Sequence, residues 1–115
     1  MQFSARHLAY KMQFPSAVQK VIEFGDRSAG SLIVERSTKR IFLIDIAIAR
    51  EFQGKGIGTD LIRRLQDEAA GSAIPLMLHA DKANLNAFNL YKKLAFKVTG
   101  ETLVLYEMAW SASGK

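Results

Sequence analysis

The sequence predicts an α/β fold whose sheet mixes parallel and antiparallel strands (α+β mixed sheet), and three observations carry that expectation. Residues 17–24 and 31–36 form two short strand patterns on either side of a turn signal. Residues 41–49 are apolar on both alternating faces except at Asp45. A glycine-rich loop then leads into an amphipathic helix and a further apolar strand at 75–80. Strand, loop, helix and strand in that order imply a right-handed crossover, hence one parallel pair beside antiparallel ones.

Each element has a local reason. Phe3, His7, Tyr10 and Phe14 recur at helical spacing with Leu8 and Met12 beside them, so residues 2–13 read as an opening helix that Pro15 ends. Residues 17–24 read as a strand, Gly25-Asp26-Arg27-Ser28-Ala29-Gly30 as a hairpin turn and 31–36 as its partner. A strand apolar on both faces, such as 41–49, belongs inside a sheet and is covered on each side. Over 57–70, Ile57, Leu61, Leu65 and Ala69 share a helix face, Asp60–Arg64 and Arg63–Asp67 pair on the outer face, and Gly71 can cap the end. Asn84 precedes a helix over 85–94 that sets Ala87, Leu90, Tyr91 and Leu94 on one side. Residues 96–110 close the chain as a hairpin, residues 1–110 make one domain, and 111–115 are expected to be a flexible tail.

Composition bounds the function. A chain of 115 residues, 49% hydrophobic and 23% charged, resembles an ordinary globular domain. It can bury roughly two thirds of its unfolded surface, so it needs no staple. With no cysteine, disulfides, thiolate metal sites and cysteine nucleophiles are excluded, and two histidines make no metal site expected. The first residues lack the apolar run of a signal peptide, and no stretch approaches the ~20 apolar residues of a membrane span. A cytoplasmic protein without membrane contact is therefore expected. The net charge of +5 suits a polyanionic partner, either a phosphate-bearing cofactor or a nucleic acid, and equally an ordinary basic surface.

Gln53-Gly54-Lys55-Gly56-Ile57-Gly58 lies between the apolar strand and the helix. Glycines there let the backbone turn tightly and approach a ligand, while the free N–H groups of the first helical turn and Lys55 favour an anion such as phosphate. The loop is not a Walker motif, because no Lys-Ser/Thr pair follows the last glycine, and its glycine spacing does not fit the dinucleotide fingerprint. A tight strand-to-helix turn without a ligand would also use these glycines.

A second segment extends the pattern. Gln53 to Gly58 is similar to the Gln/Arg-x-x-Gly-x-Gly/Ala signature of the GCN5-related N-acetyltransferases. Asn84-Leu85-Asn86-Ala87-Phe88-Asn89-Leu90-Tyr91-Lys92-Lys93-Leu94-Ala95-Phe96 resembles that family's second signature, with Asn, Ala, Leu-Tyr, Lys and Phe in place. The resemblance spans residues 17–110. It implies an acyl-CoA N-acyltransferase fold and acetyl-CoA as cosubstrate, with no metal. The amides of Gly54, Lys55, Gly56, Ile57, Gly58 and Thr59 would hold the pyrophosphate, and Gln53 would belong to the same cofactor-binding loop. Backbone groups of Ile46, Ala47 and Ile48 would pair with the pantetheine arm, and Asn84 would contact the cofactor. Tyr91 matches the tyrosine that serves as general acid. The chain departs from the pattern at Arg50, where proline is usual, and at Ala95, where glycine is usual. It also lacks the usual first strand and helix, so the strand at 17–24 is expected to be an open edge.

Acyl transfer to an amine needs an oriented thioester, donors for the developing oxyanion, a way to deprotonate the amine and a proton for the thiolate. Tyr91 is the candidate for that proton, or else a core residue with a hydrogen-bonded tip. Asp45, the one charge in an apolar strand, would be tuned by burial toward general-base work, or else is hydrogen-bonded at a bulge. His79 on the opposing strand is the second candidate base, or an ordered histidine without catalytic duty. A water relay is a further route. The function expected is acetyl transfer from acetyl-CoA to a primary amine of a small molecule or protein, by direct attack in a ternary complex. An RNA-directed enzyme acetylating aminoacyl-tRNA, which only the net charge favours, and a non-catalytic coenzyme-binding module are the alternatives. The open edge and the apolar opening segment lead to the expectation of a homodimer through residues 2–24.

Overall fold

The computed structural model of the protein describes residues 14–114; the helix expected over 2–13 lies outside them. The strands are β1 (Val18–Phe24), β2 (Arg27–Arg36), β3 (Ile41–Ile48), β4 (Leu76–Asp81), β5 (Lys97–Glu101) and β6 (Leu105–Trp110). The helices are α1 (Ile57–Gly71) and α2 (Leu85–Lys93), with a 3-10 turn at Arg50–Phe52. The strands form one sheet in the order β1-β2-β3-β4-β6-β5, in which β3–β4 is parallel and the other pairs antiparallel. This is the mixed α/β architecture expected.

A bulge in β3 sets the phase of the sheet. Ile33 pairs with Asp45 but Val34 with Leu43, which leaves Ile44 as the extra residue. Ile41 and Leu43 lie in the helix-side core before the bulge, and Ile46 and Ile48 pack against the same core after it. Asp45, opposite Ile33, goes with Ile44 to the other face. An unbroken alternation would have put the Asp45 carboxylate on the helix side. The bulge removes that conflict.

Two expectations about the strands are corrected. The third strand is not covered along its length: Ile41, Phe42 and Leu43 are buried, Asp45 is only half-buried and Ala47 is exposed. The cause is that β3 parts from β4 after Leu43. The second strand begins at Arg27 rather than 31, because the turn shrinks to Gly25-Asp26 with Gly25 at φ 67°. Gly30 is needed for a different reason: a Cβ there would stand 1.9 Å from the Ala47 carbonyl oxygen, so β2 can approach the end of β3 only without a side chain.

The core lies between one sheet face and the two helices. Ile62, Leu65 and Ala69 of α1 pack with Ile41, Leu43, Leu76 and Leu78, and Phe96 and Met108 complete the cluster. Buried Gln66 donates from Nε2 to the Leu94 carbonyl at 2.8 Å, tying α1 to the end of α2. Arg36 pairs with Glu68 and joins β2 to α1.

Both helices end in the same device. The Ile74 N–H donates to Ala69 O and the Ala73 N–H to Ala70 O, with Ala73 at φ 55°. Likewise the Phe96 N–H donates to Tyr91 O and the Ala95 N–H to Lys92 O, with Ala95 at φ 71°. These are Schellman caps, and in the second the Tyr91 and Phe96 rings meet at 5.8 Å, supplying the apolar contact that accompanies the motif. The cap of α1 is thus Ala73, not Gly71, which is the last helical residue. Alanine in a left-handed conformation carries a Cβ penalty that glycine lacks. Ala73→Gly and Ala95→Gly are each expected to raise stability by about 0.5–1 kcal/mol, read from urea midpoints at unchanged m-value.

Candidate functional site

The site begins where the parallel ladder stops. β3 and β4 pair only at Ile41–Leu76, Phe42–Met77 and Leu43–Leu78, whereas β4 continues beside β6 to Asp81–Leu105. Beyond Leu43 the two strands diverge around a cavity of about 670 Å³. Ile46, Ile48, Gly58, Ile62 and Tyr91 line it from the helix side, and Phe14, Phe42, Ile44, Asp45 and His79 come from the opposite face. The β3 backbone from Ile44 to Ile48 borders this opening with no ladder to β4, leaving an edge that an extended ligand can pair with.

The loop after β3 is anchored at its start. Phe52, buried in the 3-10 turn, meets the Phe24 ring at 5.7 Å and the Arg27 guanidinium at 5.2 Å. Gln53 reaches back from Nε2 to the Ile48 carbonyl at 3.0 Å and fastens the loop to the end of β3. Gly54 and Gly56 take φ of 78° and 79°, and a Cβ on either would meet nothing within 4 Å. Backbone conformation, not crowding, requires glycine here. Gly56 is the N-cap of α1 and supplies no side-chain hydrogen bond, while the Asp60 N–H is the first to be taken up, by Gly56 O at 2.9 Å. The amides of Ile57, Gly58 and Thr59 are left at the positive end of a 15-residue helix, beside Lys55. That arrangement suits a phosphate group.

The second segment is set by a turn. Asp81 Oδ1 accepts from the Ala83 N–H at 2.9 Å, and the Asp81 carbonyl accepts from the Asn84 N–H at 2.9 Å. Asn84 then caps α2, its Oδ1 accepting from the Ala87 N–H at 3.1 Å. With that oxygen engaged, Nδ2 is the atom Asn84 has for a ligand. Tyr91 lies two turns along the same helix, half-buried and packed on Phe96. His79 is exposed and stands edge-on to Phe42 at 5.0 Å, and Phe42 in turn meets Phe14 at 5.1 Å.

A model of the acetyltransferase (GNAT) family matches residues 7–96. The chain belongs to that family. No curated protein matches the sequence. Among solved structures, a GNAT family acetyltransferase from Elizabethkingia anophelis with acetyl-CoA bound superposes with TM-score 0.76 at 15% identity, covering 94% of this chain and 83% of that one. Naa50 of Arabidopsis thaliana, in complex with the bisubstrate analogue CoA-Ac-MVNAL, gives 0.74 at 19% identity over 96% and 83%. An IAA acetyltransferase from Bacillus cereus gives 0.73 at 22% identity over 92% and 83%. At such identities the likeness shows the GNAT fold.

Within this GNAT fold, Asp45, Ile46, Ile48, Gly58, His79, Asn84 and Tyr91 share the lining of one cavity. Ala47, Gln53, Gly54, Lys55, Gly56, Ile57 and Thr59 lie outside that lining: Ala47 is exposed opposite Ser31, and the rest form the loop and first turn of α1. Sequence reasoning missed Asp81, Phe42 and Gly30. Asp81 had a readable signal, an Asx residue at a strand end. The others depend on contacts between strands far apart in sequence. Because Asn84 caps α2, the ligand contact expected of it is tested apart from stability. Asn84→Ala is expected to lose about 1 kcal/mol by denaturant unfolding, while Asn84→Asp keeps the cap and the stability. A stable Asp variant with weaker coenzyme binding in calorimetry would separate a ligand contact, through the lost Nδ2 donor and the added charge together, from the cap.

Proposed function

We propose that this GNAT protein transfers an acetyl group from acetyl-CoA to a primary amine of a small molecule or a protein, by direct attack in a ternary complex. The observation that carries the reading is a single cavity lined from both faces of the split between β3 and β4, with Tyr91 on one side and Asp45 and His79 on the other. Acetyl-CoA would supply the activated acetyl group as its thioester.

The residues fit that cosubstrate. The amides of Ile57, Gly58 and Thr59, with Lys55, would bind the pyrophosphate, and the open edge of β3 from Ile46 to Ile48 would orient the pantetheine arm. Backbone N–H groups near Ala47 and Ile48 would polarise the acyl carbonyl. Tyr91, on the helix side, would hold a proton at Oη for the departing sulfur, since a phenol and a thiol are close in acidity. The amine would arrive from the opposite face, where Asp45 and His79 border the cavity and would take its proton directly or through water. Acid and base on opposite sides of the split allow both substrates to be held at once, which a ternary complex requires.

The coenzyme site and the chemistry are tested separately. Gly56→Val places a β-branched residue at a φ of 79° and a side chain in the approach to the loop. A loss of tenfold or more in acetyl-CoA affinity, ~1.4 kcal/mol, is expected by calorimetry on the folded variant. Unchanged affinity would remove the loop from the site. Tyr91→Phe is expected to lower kcat in a thiol-release assay by roughly 100-fold with little change in coenzyme affinity. Wild-type turnover would assign Tyr91 to packing.

A further inference from the structure

The edge of the sheet at β1 has a pattern that the acetyltransferase reading does not use. Among the described residues β1 pairs only with β2, so its outer side carries a row of backbone N–H and C=O groups without a strand partner. Three of its apolar side chains are also exposed, Val18 at 57%, Val21 at 63% and Phe24 at 49%, while Ile22 lies in the core. Among the described residues, two of the usual guards of an edge, a proline and a bulge in the edge strand, are missing. β1 contains no proline, and the bulge in the β1–β2 pair falls on β2, where Ala29 is the extra residue, so β1 itself keeps a regular alternation. Lys20 is its one basic residue. It lies on the helix face opposite Leu32, where its charge bears on Glu68, a carboxylate held below its ordinary value first by Arg36 and further by Lys20.

We infer that β1 pairs with β1 of a second copy, antiparallel and centred on Val21, and continues the sheet across a two-fold axis. The regular alternation fixes which registers are allowed. An axis perpendicular to the sheet keeps each face on its own side, so the axis must pass through a residue, not between two. Val18, Lys20, Ile22 and Phe24 share the helix face, while Gln19, Val21 and Glu23 share the other. An axis at Lys20 would set the two lysines against each other. An axis at Val21 sets Val21 against its own copy, Val18 against Phe24, Lys20 against Ile22 and Gln19 against Glu23. All three exposed apolar residues then meet apolar partners, and no like charges oppose.

The absence of cysteine gives a direct test on the chain as it stands. Across a two-fold axis at Val21, the two Cα atoms are about 4.5–5.5 Å apart, within the range a disulfide spans. At Gln19 the same register separates the two copies by about 13 Å along the strands, at roughly 3.3 Å per residue. Val21→Cys is therefore expected to give a cross-linked dimer on mild copper-phenanthroline oxidation at micromolar concentration, and Gln19→Cys to remain monomeric on the same gel. Light scattering should find the unmodified chain dimeric and Val21→Lys monomeric with an unchanged circular dichroism spectrum. A monomeric wild-type chain, a Val21→Lys variant that stays dimeric, or equal cross-linking at the two positions would overturn the proposal. None of these measurements involves acetyl-CoA, so the result is independent of the catalytic reading.

Discussion

The departure of β3 from β4 after Leu43 is the constraint on which the rest of the molecule depends. A β3–β4 ladder continued to the ends of both strands would close the gap in which the cavity lies. Here the ladder ends after Leu43–Leu78, and the released edge of β3 becomes the wall of the cavity. The bulge at Ile44 makes this tolerable. It returns Ile46 and Ile48 to the helix-side core and turns Asp45 to the opposite face, so the strand can lose its neighbour without losing its packing.

Several contacts hold the opening in place. β2 follows β3 to its end because Gly30 admits the Ala47 carbonyl where a Cβ would collide with it. The Ala49 N–H donates to Ala29 O at 2.7 Å just beyond the strand, and Gln53 returns to Ile48. Phe52 fills the core beneath the loop. On the other side, β4 is held by pairing with β6 along its length, and the Asp81 turn leads into α2, from which Tyr91 lines the gap. One wall is thus fixed by strand pairing and the other by local hydrogen bonds, which leaves the space between them free for a substrate.

Both helix caps show what such a layout accepts. Ala73 and Ala95 sit in left-handed conformations that favour glycine. At Ala95 the motif still closes, because the two backbone bonds and the Tyr91–Phe96 contact hold the turn that points Tyr91 into the cavity. The position is read from the sequence as a departure from the family pattern, yet the geometry that glycine would provide is present.

Much of the candidate site is legible in the chain because its segments are encoded locally. The glycine loop, the helix after it and the Asn84–Phe96 segment are each continuous stretches whose dihedral preferences, caps and periodicity lie within a few residues. Those segments carried the family resemblance and named the residues of the loop and of α2, while the strand patterns at 17–24, 31–36, 41–49 and 75–80 gave the mixed α/β class. The tertiary structure decided the phase of β3, the exposure of Asp45, the start of β2 at Arg27, the cap at Ala73 and the need for glycine at position 30. Each of these depends on which strand lies alongside and where the pairing stops. A two-residue alternation cannot record a one-residue bulge in advance: Asp45 could be seen as out of place, but only the pairing of Ile33 with Asp45 and of Val34 with Leu43 shows where it goes.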